Sequence, residues 1–266
     1  MIVRKSRADL QAMARAGAVV ARAHEALRDA LRPGMSTLDL DRLAEKVITR
    51  EGAVPSFKGY RGFPATLCTS PNDQVVHGIP SPDVLLVAGD LVSIDCGAVV
   101  DGFHGDSAVT LVCGGDDAAD PADLALVRTT REAMWSGIRA CVAGNRIGDI
   151  GAAVEAHALE PGHGVVREYV GHGVGRALHE DPSVPNYGRS GRGLRLQVGW
   201  VLAIEPMFNR GTAATRQLAD GWTVVTGDGA RSAHWEHTVA ITEDGPRVLT
   251  ARDDDAPWLT DGVAAA

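Results

Sequence analysis

Four carboxylates stand at matched positions of an internal repeat. Gly89-Asp90-Leu91-Val92-Ser93-Ile94-Asp95 and Gly199-Trp200-Val201-Leu202-Ala203-Ile204-Glu205 each run from a glycine through a short apolar stretch to one acid, 110 residues apart. Asp106-Ser107-Ala108-Val109-Thr110 matches Glu236-His237-Thr238-Val239-Ala240 at an offset of 130. Upstream, Pro33-Gly34 with Asp39-Leu40 matches Ala143-Gly144 with Asp149-Ile150, again 110 apart. One acid ending a strand is ordinarily a turn carboxylate. Four at corresponding points of two halves would repel strongly if brought together. At least one would then keep its proton, or a cation would sit between them. The pattern asks for a metal, and for more than one ion.

The histidines divide by context. His172 lies in Gly171-His172-Gly173-Val174-Gly175, with no bulky neighbour to cover it, and His179 follows in Leu178-His179-Glu180. The glycines favour a turn that brings the two together. His77, in Val76-His77-Gly78-Ile79-Pro80, echoes that run. His24, His157 and His163 have no such surroundings and read as structural. His104, His234 and His237 flank the acids and suit a role supporting ligands. Carboxylates joined by an imidazole suit Mn, Fe, Co or Zn. Two ions sharing bridging carboxylates can turn a water into hydroxide near neutral pH, which is hydrolase chemistry. No Gly-x-Ser-x-Gly nucleophile motif and no glycine-rich phosphate loop occurs.

The elements that must position these groups are legible in part. Ser6 with Asp9 forms a capping-box pattern, and Leu10, Met13, Ala16, Val20, Ala23 and Leu27 then follow helical spacing to about Leu31. Gly17 lies inside that run, where it weakens a helix. Ser36 with Asp39 opens a second helix, closed by Gly52. Residues 54–82 are rich in loops. Strands are predicted at 90–100 and 107–113, with Asp101-Gly102 as the hairpin turn that puts Asp95 and Asp106 on one face. Asp120-Pro121 caps a helix running to about Val142, and another covers roughly 147–160. The stretch 164–250 reads as strands and turns. Two rounds of helix-helix-strands predict an α+β protein with a mostly antiparallel sheet backed by helices. One catalytic domain is expected over 1–250, in halves of about 1–113 and 114–250, followed by a frayed tail, 251–266.

Composition bounds the reading. With 266 residues, 45% of them hydrophobic, the chain can bury one sizeable core. A net charge of −8 is not the footprint of a nucleic-acid-binding surface. Cys68, Cys96, Cys113 and Cys141 make no Cys-x-x-Cys pair and read as reduced core thiols. The N-terminus lacks the apolar region of a secretory signal, and no apolar run approaches a membrane span, so a cytoplasmic setting is expected.

At these residues the chain resembles the bacterial type I methionine aminopeptidases, within the pita-bread metallohydrolases. The matching stretches are GYRGFPATLCTSPNDQVVHGIP (59–80), DCGAVVDGFHGDSAV (95–109), GHGVGRALHEDP (171–182), AIEPMF (203–208) and SAHWEHTVAIT (232–242). The resemblance spans almost the whole chain. It implies two pseudo-symmetric halves and two divalent ions held by Asp95, Asp106, His172, Glu205 and Glu236, with Asp106 and Glu236 bridging. By the same resemblance His77 and His179 are catalytic histidines that hold no metal. Glu205 is expected both to bind metal and to take the proton of the attacking water. Tyr60, Phe63, Cys68 and Trp222 line the pocket for a methionine side chain, while Asn72 and Ser232 mark a monovalent-cation position. The implied substrates are nascent chains with N-terminal Met, with a transient ribosome contact.

Four departures or absences qualify the match. Leu178 stands where the family commonly has Phe, which loosens one pocket wall, and Phe57 occupies a variable position. No long insert separates Glu205 from Glu236, and no N-terminal extension is expected. Two other readings suit the same fold: a proline-directed aminopeptidase or dipeptidase, and a binding protein that has lost its metals. The intact ligand set opposes the second.

Overall fold

The computed structural model describes residues 2–259 and 262–266. Among the described residues four α-helices and two main sheets follow the repeated order. Helix α1 (Arg7–Ala30) and helix α2 (Thr37–Arg50) both begin with the expected capping boxes, Ser6 with Asp9 and Ser36 with Asp39. Asp120 caps α3 (Pro121–Arg139), and α4 (Ile147–Leu159) follows. Each helix pair lies before its own sheet in the chain.

The first half centres on a hairpin of β1 (Leu91–Val100) and β2 (Phe103–Val112), fully paired from Leu91–Val112 to Val100–Phe103. The second strand starts earlier than the sequence predicts. Asp101 and Gly102 both take positive φ, 52° and 76°, so they make a two-residue turn and pairing begins at once. The second half is a six-stranded sheet that includes β3 (Gly171–Gly173), β4 (Val201–Ile204), β5 (His237–Thr242) and β6 (Gly245–Val248).

The repeat is a structural one. Gly34 N–H donates to Leu86 O at 2.8 Å, and Gly144 N–H donates to Leu196 O at 3.0 Å. Ser36 bridges Leu85 as Arg146 bridges Arg195. Gly89 and Gly199 share a φ near 90° before their strands. Every one of these pairs is offset by 110, the spacing read from the sequence.

Gly17 is explained by packing. A Cβ there would stand 2.0 Å from Leu249 O, and one at Gly105 would stand 2.7 Å from Gly17 N. The glycines let α1 press against the hairpin and the far sheet together, which outweighs the loss of about 1 kcal/mol of helix propensity. The main core joins Val20, Leu27, Leu40, Ile94, Met134, Trp135, Leu202 and Ile241, all buried, across both halves. The four cysteines are free thiols and buried, as expected.

The tail departs from expectation. It is not frayed among its described residues; Thr260 and Asp261 lie outside them. Asp253–Trp258 forms a 3-10 turn, and Ala264–Ala265 adds a parallel strand beside β6. Trp258 stacks on Trp135 with centroids 5.9 Å apart, and Val263 is buried in the main core. An aspartate-rich run reads as solvated, but Asp255 is fully buried because Arg131, Arg252 and His237 meet it there.

Candidate metal centre

The hairpin register places the first two acids. Asp95 lies opposite Ala108, and Asp106 lies opposite Gly97, two residues further along the same strand as Asp95. Side chains two apart share a face, so both carboxylates point the same way. Glu205 follows the end of β4, where Pro206 stops the strand; Asn186 Nδ2 donates to its carbonyl at 3.0 Å. Glu236 sits between Ser232–His234 and β5, fixed by its N–H to Ala108 O at 3.0 Å. The hairpin and the six-stranded sheet therefore present their acids to each other.

His172 enters from β3. Cβ atoms at Gly171 and Gly173 would stand 2.3 Å from Ala203 O and 2.2 Å from Asp181 O, so only glycine permits that strand to lie so close. His172 Nε2 reaches 3.4 Å from Glu205 Oε1 and 3.8 Å from Asp106 Oδ2. Its Nδ1 lies 2.9 Å from Gly173 O. Burial lowers its pKa to about 4, which leaves a neutral imidazole able to coordinate a cation.

Burial and mutual repulsion dominate the electrostatics of the acids. Burial and the neighbouring Asp106 and Glu205 carboxylates push Asp95 well above the usual carboxylate range. Burial raises Asp106 to about 7. Burial and the charge of Asp106 raise Glu205, and burial with all three other acids raises Glu236. Asp95 Oδ1, Asp106 Oδ1, Glu205 Oε1 and Glu236 Oε1 are each buried without a hydrogen-bond partner. An unsatisfied buried acceptor costs about 1–3 kcal/mol, and more when charged. Ligand atoms of Asp106, His172 and Glu236 lie within 4.8 Å of one another. A hard-to-borderline divalent cation suits the donors of Asp106, His172 and Glu236, and Asp95 and Glu205 line the same cleft, so the residues fit the ions the sequence asked for.

A cleft of about 140 Å³ opens beside the acids, lined by Tyr60, Phe63, Cys68, His77, Leu178, His179 and Trp222 among others. Phe63 meets the edge of Trp222 with centroids 5.1 Å apart. His179 stacks on Tyr60 at 5.4 Å, its Nδ1 3.0 Å from the phenol oxygen, and its ring lies 4.1 Å from that of His172. The turn between the two histidines thus brings them together. His77 takes φ +61° and stands edge-on to Tyr169 and Trp222. Burial and the Asp95 and Asp106 charges hold the Cys68 thiol protonated, an apolar wall rather than a nucleophile. Phe57 is buried in this wall, and Leu178 is too.

The model of the metallopeptidase family M24 matches residues 11–243. The chain belongs to that family. It is 55% identical to methionine aminopeptidase 1 of Mycobacterium tuberculosis over 256 residues, 94% of this chain and 95% of that one. It is 48% identical to methionine aminopeptidase 1 of Bacillus subtilis over 252 residues, 94% and 99% of the two chains. The solved methionine aminopeptidase of Thermotoga maritima superposes with a TM-score of 0.91 at 42% identity, covering 94% of this chain and 99% of that one. The prolidase of Pyrococcus furiosus shares the fold at a TM-score of 0.74 and 22% identity, but this chain covers 65% of it. Membership carries the pita-bread fold and divalent metal binding. Among the described residues no helix is long and apolar enough to cross a membrane.

Asn72 and Ser232 meet: the Ser232 N–H donates to Asn72 O at 2.8 Å. His24 Nε2 lies 2.8 Å from Ser107 O, and His157 bonds Ser136. His104 pairs with Ser56 Oγ at 2.9 Å, while His234 is buried and lines a neighbouring pocket that shares His77, His172 and Glu205 with the cleft. Arg61 and Tyr169 also line the site and were missed. Tyr169 stands just ahead of the Gly-His-Gly run, but an aromatic there carries no spacing signal.

Proposed function

We infer that the chain is a metal-dependent aminopeptidase that removes the N-terminal methionine of nascent proteins. The observation that carries this reading is the set of four inward carboxylates, each with a buried unpartnered oxygen, beside a cleft that is apolar on one side. Asp95, Asp106, His172, Glu205 and Glu236 would hold two divalent ions among Mn, Fe, Co and Zn, with Asp106 and Glu236 shared. Such ions, when bound, polarise a carbonyl and lower the pKa of water.

The chain's own groups do the rest. Glu205, which lines the cleft, takes the proton of the attacking water. His77 and His179 flank the cleft and hydrogen-bond the scissile amide. Asp95 attracts the free α-amine and so selects an unblocked terminus. Tyr60, Phe63, Cys68 and Trp222 enclose the side chain, and aromatic edges favour a thioether by about 0.3–1.5 kcal/mol. The Asn72 carbonyl, with Ser232 beside it, is the place for a monovalent cation, since a carbonyl bonded once keeps a second lone pair. A transient ribosome contact accompanies this reading, as does a cytoplasmic setting.

A peptide panel tests it. Met-Ala-Ser should be cleaved in the presence of Mn(II) or Co(II), with Ala-Pro and N-acetyl-Met-Ala-Ser left intact. Preferential cleavage of Ala-Pro would favour the proline-directed reading, and comparable hydrolysis of the acetylated peptide would refute selection of the free amine.

A further inference from the structure

The C-terminal turn meets the metal centre from behind. Arg252 is buried, and its Nη1 donates to Ser107 Oγ at 2.8 Å. Ser107 Oγ in turn donates to Glu236 O at 2.7 Å. Ser107 is the chain neighbour of Asp106, so one hydroxyl ties the backbone beside one acid to the carbonyl of the other. On the far side of Glu236, Arg252 Nη2 lies 3.1 Å from His237 Nε2. Asp255 Oδ2 lies 3.1 Å from the same nitrogen, and His237 Nδ1 lies 2.8 Å from Thr250 Oγ1. Asp255 also accepts from Arg131 Nη2 at 2.8 Å and from the Arg252 N–H at 2.9 Å. Trp235, before Glu236, lies against both Arg131 and Arg252. Ser107, Trp235 and His237, each next in sequence to Asp106 or Glu236, therefore touch this network.

We propose that Arg252, through Ser107, is a positioning residue that sets the spacing of the Asp106 and Glu236 carboxylates for metal binding. The proposal deepens the metal-site reading and rests on Asp106 and Glu236 being ligands. The physical case is one of specificity. A buried guanidinium is expensive to desolvate, and an apolar side chain would fill that space at less expense. Its planar fork, however, addresses Ser107 and His237 together, which fixes the hairpin against the six-stranded sheet at the point where their acids face. Groups that orient ligands from behind typically change metal affinity or activity by roughly 10–100-fold when altered.

The test is calorimetric titration of the chelator-treated full chain with Mn(II), alongside kcat and KM for Met-Ala-Ser. The variants are Ser107→Ala, Arg252→Lys and their combination, with Ile48→Val, a core change remote from the site, as the stability control. Each single variant should weaken Mn(II) binding by roughly 10-fold or more while KM for the peptide at saturating metal stays within about twofold. The combination should bind no more weakly than the worse single variant, since both break one path. Folded Ser107→Ala and Arg252→Lys proteins with wild-type Mn(II) affinity would overturn the proposal. So would Ile48→Val weakening affinity as much for an equal loss of Tm. Should Arg252→Lys fail to fold, Ser107→Ala decides by the same criterion. A wild-type chain that binds no Mn(II) would overturn the metal-site reading and this one with it.

Discussion

Asp106→Asn in the metal-free protein should raise stability, and increasingly so as pH rises. Burial lifts Asp106 from 3.8 to about 7. A carboxylate whose folded pKa exceeds its unfolded pKa destabilises the fold as pH climbs between the two, because the unfolded chain releases its proton first. From pH 5 to pH 7 that is about two units at about 1.36 kcal/mol each, so Asp106 withdraws about 3 kcal/mol. For a protein of this size 1 kcal/mol moves Tm by roughly 2–4 °C, so the gap between variant and wild type should widen by roughly 6–12 °C. Removing the charge also relieves Asp95, Glu205 and Glu236, whose pKa values it raises, and this adds in the same direction. Buried neutral histidines such as His24 and His234, both held near 3, withdraw stability as pH falls below about 6.5. That contribution is common to both proteins, so the difference between them is the quantity to read. Scanning calorimetry of chelator-treated protein at pH 5, 6, 7 and 8 makes the measurement. With Mn(II) present the order should reverse, since the variant loses a shared ligand. A Tm gap that stays constant from pH 5 to pH 8 would refute the claim that these acids repel in a site made for a cation.

Two further predictions concern the cleft. His179→Ala should lower kcat by roughly 100-fold or more yet keep Mn(II) stoichiometry in calorimetry; a loss of metal as deep as that of Asp106→Ala would show that His179 is a ligand. Trp222→Ala should lower kcat/KM for Met-Ala-Ser by about 10-fold, beyond what its loss of Tm explains, and Leu178→Phe should tighten selection of Met over Ala in the same assay. An unchanged Met/Leu preference in folded Trp222→Ala protein would remove that residue from the pocket.

Much of the site was legible because its residues lie in short local patterns. The hairpin signal Asp101-Gly102 and period-2 alternation placed Asp95 and Asp106 on one face without any tertiary knowledge. The 110-residue repeat carried Glu205, and its turn and bridge hydrogen bonds recur at the same offset. What stayed hidden depends on partners far along the chain. Gly17 looked like a flaw in a helix until Leu249 O was found where a side chain would go. Asp255 looked solvated until Arg131 and His237 were found around it. Tyr169 joins the cleft by an edge contact to His77 that no spacing announces.

The central claim about this protein is hydrolysis of an unblocked N-terminal methionine by a site that requires divalent metal. The direct measurement is turnover of Met-Ala-Ser by chelator-dialysed protein, with metal content determined on the same sample, before and after adding Mn(II) or Co(II). Activity should be at background when metal is absent and should recover to saturation with added metal. Full activity in protein shown to be free of metal would contradict it.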